Sequence, residues 1–256
     1  MLVSIKLLFV LGLWSSANPN PSPLPDHFTT YTTSISDSIL KNSAPKPKTD
    51  LKVSLGTYDF EKSVSKELRK KMMQDLNSNK ITLKDVQYTF TNHLTNGLIP
   101  HWYGTGWSFG GHTSIPNEGK IACGYFVSTT LKDMGLNLNR YKLAQKSPLD
   151  EALMISCGAP IKTIRSVDTA TAIQEIDQHT QEGLYFIGFD EGHVGFLLKK
   201  EGELYLIHSN YLQPAAVCLE AIETSNVFKK FSVFHLVDIS HNNFLTQKWL
   251  EGSEIL

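Results

Sequence analysis

The sequence predicts an α+β fold, and three observations carry the prediction. Val64, Leu68, Met72 and Leu76 recur at four-residue steps with charged residues between them, the pattern of an amphipathic helix over 59–77. Apolar or alternating segments follow at 183–189, 193–199, 203–210 and 231–239. Lys200-Glu201-Gly202-Glu203 between two of them is a tight turn, with Gly202 suited to positive φ. Helices first and mostly antiparallel strands afterwards predict N-terminal helices packed on an antiparallel β-sheet.

Taken in order, Met1–Lys6 carries one positive charge, Leu7–Trp14 is apolar and Ser15-Ser16-Ala17 offers small residues for cleavage. Residues 1–17 therefore read as an export signal, since the apolar run falls short of the roughly 20 residues a membrane span needs. The expected location is periplasmic or secreted, and no later stretch is long and apolar enough to cross a membrane. Residues 18–55, rich in Pro, Ser and Thr, read as a linker. Residues 56–98 form a helical segment, with Thr82 and Asp85 marking a second helix start and Val86, Phe90 and Leu94 its apolar stripe. Residues 99–242 are the expected core and 243–256 a C-terminal tail. Within the core, helices are expected over Ile121–Met134, 149–156 and Thr169–His179, and a short strand over Ile161–Arg165.

Composition excludes several classes. A net charge of −1 from 24 basic and 25 acidic residues lacks the basic surplus of a nucleic-acid protein. Three cysteines are too few for a disulfide scaffold or a four-thiolate zinc site. His112, His179, His235 and His241 show no metal-ligand spacing with acidic or thiol partners, so a zinc hydrolase is not expected.

Position makes one cysteine distinctive. Cys123 falls in the first turn of its helix, where the helix dipole favours the thiolate. His193 follows a glycine turn and opens a strand, a place from which an imidazole can serve as general base. With Glu201-Gly202 as the two-residue loop, Lys200 faces Glu203, Gly195 faces His208, and His193 faces Asn210. His193, His208 and Asn210 then share one face, and His208 or Asn210 can fix the tautomer of His193. A one-residue slip would put the two histidines on opposite faces. The aromatic and glycine-rich run His101-Trp102-Tyr103-Gly104-Thr105-Gly106-Trp107 can line a cleft, which makes His101, Trp102, Tyr103 and Trp107 candidate substrate contacts, with Asn210 added from the face of the two histidines. Cys157 and Cys218 read as packed thiols, with a mutual disulfide as the alternative in an exported protein.

Residues Pro116–Val127, with Ala122-Cys123-Gly124-Tyr125 at their centre, resemble the cysteine motif of the NlpC/P60 superfamily of papain-like cysteine hydrolases. Gly192-His193-Val194-Gly195-Phe196 is similar to that family's histidine strand, and Leu206-Ile207-His208-Ser209 to its third motif. The aromatic-glycine run is similar to the family's Y-x-W-G-G segment. Where the family has Asp-Cys-Ser-Gly, this chain has Ala122 and Gly124 about the cysteine. His101 falls in the family's tyrosine slot, with Tyr103 in the next aromatic slot.

The resemblance implies a papain-like core with Cys123 as nucleophile, His193 as base and His208 as orienting residue. The Cys123 backbone N–H would hold the oxyanion, and no cofactor is needed. It further implies hydrolysis of amide bonds, with peptidoglycan stem peptides as the expected partner. Two other functions remain open: a non-catalytic carbohydrate- or peptide-binding protein on the same fold, and an amidase or acyltransferase acting on lipid or protein amides.

Overall fold

The computed structural model describes residues 56–190 and 192–255, so the expected export signal and linker lie outside the described residues. Helix α1 (Tyr58–Asn77) begins at Thr57, whose side chain accepts from the Phe60 N–H. Helix α2 (Leu83–Asn92) starts with a reciprocal capping box between Thr82 and Asp85. It continues as a π-helical turn, His93–Leu98, and then a 3₁₀ turn, Ile99–Trp102.

After the glycine-rich loop come α3 (Cys123–Asp133), α4 (Arg140–Ala144) and α5 (Pro148–Ser156). Strand β1 (Lys162–Arg165) and α6 (Thr169–His179) precede a run of strands. These are β2 (Gly183–Phe189), β3 (His193–Lys200), β4 (Glu203–Ser209) and β5 (Val217–Ala221). Strand β6 (Val233–Asp238) and helix α7 (Asn243–Glu251) complete the chain.

The six strands form one sheet in the order β1-β6-β2-β3-β4-β5, antiparallel at every pairing. The α+β expectation therefore holds at the level of helices around an antiparallel sheet. Side chains alternate across it into two cores. On one face Phe186, Val194, Phe196 and Ile207 pack with Phe126, Val127 and Leu131 of α3 and with Ile155 of α5. On the other, Tyr185, Ile187, Leu197 and Leu206 pack with Ile176 of α6 and with Ile222 and Phe228.

The β3–β4 turn decides what the sheet can present. Glu201 and Gly202 both take positive φ, 55° and 80°, the geometry of a two-residue type I′ hairpin. The Glu182 carboxylate accepts from both of their N–H groups at 2.8 Å. Lys200 consequently pairs with Glu203 and Phe196 with Ile207, the register that the turn count predicts.

Three elements exceed the sequence expectations. Helix α4 and strand β5 were not anticipated. The expected C-terminal tail contains α7, whose Trp249 is fully buried and donates to the Met134 carbonyl at 2.8 Å. The described residues cluster as one compact unit, so the helical segment, the core and the tail are a single body. No helix among the described residues is long and apolar enough to cross a membrane.

Candidate functional site

Helix α3 places Cys123 as its first residue. Ala122 at the N-cap has no side chain able to cap, and the first helical hydrogen bond is Phe126 N–H to the Ala122 carbonyl at 2.9 Å. The N–H groups of Cys123, Gly124 and Tyr125 therefore lack intrahelical acceptors, which leaves an anion-receptive end beside the thiol. The glycine-rich loop fixes this end in space. Ile121 N–H donates to Gly106 and Ala122 N–H to Gly111, at 2.9 and 2.8 Å. The Ser209 hydroxyl at the end of β4 donates to the Ile121 carbonyl at 2.7 Å. The same loop flanks β5: Trp107 N–H donates to Ala215, Gly104 N–H to Val217, and Val217 N–H to Thr105.

The imidazoles come from the sheet. His193 and His208 are both buried, and His193 Nε2 meets His208 Nδ1 at 2.8 Å. They share a face, as the register requires. A Cβ on Gly195 would stand 2.9 Å from His208 Cβ, so a side chain there would displace the ring. His208 Nε2 in turn meets Glu220 Oε1 of β5 at 3.1 Å, and the Ser225 hydroxyl donates to the same carboxylate.

Burial alone would raise the Glu220 pKa. The hydrogen bonds from His208 and Ser225 outweigh that and hold it below the usual carboxylate value. An ionised carboxylate only accepts, so His208 Nε2–H donates to Glu220; with both rings neutral, His193 Nε2–H then donates to His208 Nδ1, and His193 Nδ1 is an unprotonated acceptor. Asn210, the alternative orienting residue, is occupied elsewhere. Its Oδ1 accepts from Leu212 N–H at 2.7 Å and its Nδ2 donates to the Gln213 carbonyl at 3.2 Å.

The thiol and the relay approach each other around the end of the sheet. Cys123 packs against the core on the α3 side, whereas His193 stacks on Phe231 and leans on Phe189, on the opposite face. Two features join them. The Val194 N–H, one residue from His193, bears on the Cys123 thiol. Tyr211 lies 5.3 Å from the His193 ring centroid, and Cys123 is among the groups that raise its pKa, after burial. Among the described residues no hydrogen bond links Cys123 Sγ to His193.

Electrostatics depart from the sequence expectation of a thiolate favoured by the helix dipole. Burial pushes the Cys123 thiol up to about 11; Glu151 adds to the shift, and the N–H groups of Val194, Gly124 and Cys123 oppose it. Burial, together with His208, pushes the His193 pKa well below its ordinary value. The resting pair is therefore neutral thiol and neutral imidazole, not an ion pair. Glu151 itself is buried beneath the helix start, and burial raises its pKa well above normal. Ala144 O and Glu151 Oε1 would stand 2.7 and 2.9 Å from a Cβ on Gly124, so the serine of the family motif has no room here.

The candidate aromatic contacts divide. Trp107 is half-buried with its ring 6.0 Å from Tyr211, next to the cysteine and histidine. Tyr103 is half-buried against the core, its hydroxyl held neutral by burial and by the neighbouring Cys218. His101 meets Tyr58 edge-on at 5.5 Å between ring centroids, and its Nε2 is buried with no partner among the described residues. Trp102 is fully buried, and its indole N–H donates to Tyr58 at 2.9 Å, so it presents no surface to a ligand. Asn210, at 2% exposure, likewise has its amide turned into the 210–213 loop. A cavity of about 480 Å³ lies elsewhere, lined by Ile161, His179, Tyr185, Leu236 and Asp238.

Cys123, Cys157 and Cys218 are all free thiols. Sequence reasoning missed Tyr211, Glu220 and Ser225. Glu220 was findable only through alternation in Val217-Cys218-Leu219-Glu220, which marks a strand beside His208. No protein-family model, curated protein or solved structure matches the chain.

Proposed function

We propose that this protein is a papain-like cysteine hydrolase that cleaves amide bonds, with peptidoglycan stem peptides as its substrate class. The observation that carries the reading is the hydrogen-bonded series Glu220–His208–His193, which ends one residue from the Val194 N–H that faces Cys123. Four residues of three chemical types are ordered so that the outermost ring nitrogen is a base.

With neutral partners at rest, the thiol proton passes to His193 Nδ1 as sulfur attacks the carbonyl carbon, and the charge that forms on His193 is delocalised toward His208 and Glu220. Hydrogen bonds of this kind are long in free enzymes and tighten when substrate excludes water. The free N–H groups at the start of α3 receive the oxyanion. His193 then gives its proton to the leaving amine. Water, activated by the same ring, hydrolyses the thioester and restores the thiol. Trp107 and Tyr211 flank this end of the sheet and supply apolar contact to the substrate. The family resemblance supplies the substrate class, and the expected export signal agrees with action on the cell wall.

Mass spectrometry of a muropeptide mixture incubated with the protein tests the proposal. The reading expects paired products with a new carboxylate and a new amine, abolished in a folded Cys123→Ala variant. Undiminished cleavage by Cys123→Ala refutes the mechanism, and products from lipid or protein amides alone would reassign the substrate.

A further inference from the structure

On the side of His208 away from His193, three different donors converge. His208 Nε2, Cys218 Sγ and a Glu220 carboxylate oxygen lie within 4.8 Å of one another. Cys218 and Glu220 are half-buried on β5, the edge strand of the sheet, so the cluster is reachable from outside. His208 is held by its Nδ1 contact with His193, which aims Nε2 at the other two donors. We propose that these residues form a zinc site that regulates the histidine relay.

Chemistry selects the ion. Thiolate with imidazole is a soft to borderline donor set, suited to Zn²⁺ and ill-suited to Mg²⁺ or Ca²⁺, which prefer oxygen. Zinc bonds of about 2.0–2.3 Å place tetrahedral donors roughly 3.3–3.8 Å apart, so the cluster needs only side-chain adjustment. Three protein ligands leave a fourth position for water. The cysteine is the donor that must change state. Zinc binds cysteine as the thiolate, so a bound metal displaces the Cys218 proton. Asn210 Nδ2, 3.8 Å from Cys218 Sγ, remains as a hydrogen-bond donor to the thiolate.

Occupation reverses the proton order of the relay. With both rings neutral, the metal-free His208 carries its proton on Nε2, toward Glu220. A metal on Nε2 moves that proton to Nδ1, which then donates to His193 Nε2. The His193 proton must in turn sit on Nδ1, the nitrogen that has to be bare to accept the thiol proton. Each imidazole keeps one proton throughout, and the one proton released comes from Cys218. Metal binding therefore switches the base off without touching Cys123. This consequence rests on the hydrolase reading above; the metal site itself does not.

The test titrates tag-free protein with Zn²⁺ against a chromophoric chelator. One equivalent is expected to bind, more than about tenfold more weakly in Cys218→Ser and in Glu220→Gln, with affinity retained in Cys123→Ala and Cys157→Ser. Absence of stoichiometric binding, or unchanged affinity in Cys218→Ser, overturns the site. In parallel, Zn²⁺ is expected to suppress muropeptide hydrolysis by wild type and not by Cys218→Ser, each measured against its own metal-free rate. Binding with no inhibition would keep the site and overturn the proton switch.

Discussion

Two buried histidine clusters in this protein are built from similar parts and differ in what they leave open. In the helical layer, His93 Nε2 meets the Ser65 hydroxyl at 3.0 Å and the Glu61 carbonyl at 3.1 Å, and its Nδ1 lies 3.8 Å from the Glu61 carboxylate. On the sheet, His193 meets His208 and His208 meets Glu220. Both are histidines with a carboxylate and a hydroxyl, and in both burial lowers the pKa of a histidine, His93 or His193. The helical cluster offers no reachable nucleophile, and its ring nitrogen Nδ1 faces a carboxylate. Ser65 is wholly inaccessible and its hydroxyl donates to its own helix at Glu61. The sheet cluster leaves one ring nitrogen uncommitted and ends beside a half-buried thiol at an uncapped helix start. The same residue types thus occur in both clusters, and what sets the proposed site apart is the nucleophile near its unspent acceptor.

The largest contrast is expected at the ends of the two clusters. Replacing the proposed base by His193→Gln, whose amide N–H can still reach His208, should lower hydrolysis by about 10²–10⁴-fold, as measured by product formation. His93→Leu should leave kcat unchanged and lower stability by about 1–3 kcal/mol in chemical denaturation, because Ser65 loses a buried partner. Next in size, Glu220→Gln removes the acceptor that sets the tautomers. It should cost more than about tenfold in kcat with little change in KM, a split that a merely structural role would not produce.

The pH behaviour sharpens the same comparison. With the thiol raised to about 11, alkylation of Cys123 by iodoacetamide in the substrate-free protein should keep rising through alkaline pH. A plateau at mildly acidic pH would show a preformed thiolate and contradict the neutral pair.

The smallest effect concerns Glu151. Its folded pKa is raised, so above the ordinary carboxylate value the unfolded chain sheds a proton that the folded chain keeps. Stability from this group is full below that value and falls as pH rises. Glu151→Gln should accordingly unfold at higher temperature than wild type at neutral pH, with the gain vanishing in acid.

The sheet was legible where periodicity and turn chemistry agreed. Glu201-Gly202 fixed the β3–β4 register and with it the pairing of His193 and His208. Helix α1 followed from its four-residue spacing, and α2 from the Thr82–Asp85 box. Strand β5 was not legible, because five residues after an irregular loop carry too short an alternation, and Glu220 and the role of Cys218 went with it. Helix α7 had a usable signal that was passed over, Asn242 as N-cap with Leu245 and Trp249 four apart. The state of Cys123 was beyond sequence, since helix position favours a thiolate while burial, visible only in the fold, opposes it more strongly.

The most direct test compares muropeptide hydrolysis per folded molecule in His193→Gln and His93→Leu, with melting temperatures measured alongside. The account predicts that the sheet variant stays folded and loses at least about 100-fold in rate, while the helical variant melts earlier and hydrolyses at the wild-type rate. Equal rates in the two variants, once corrected for the folded fraction, would contradict it.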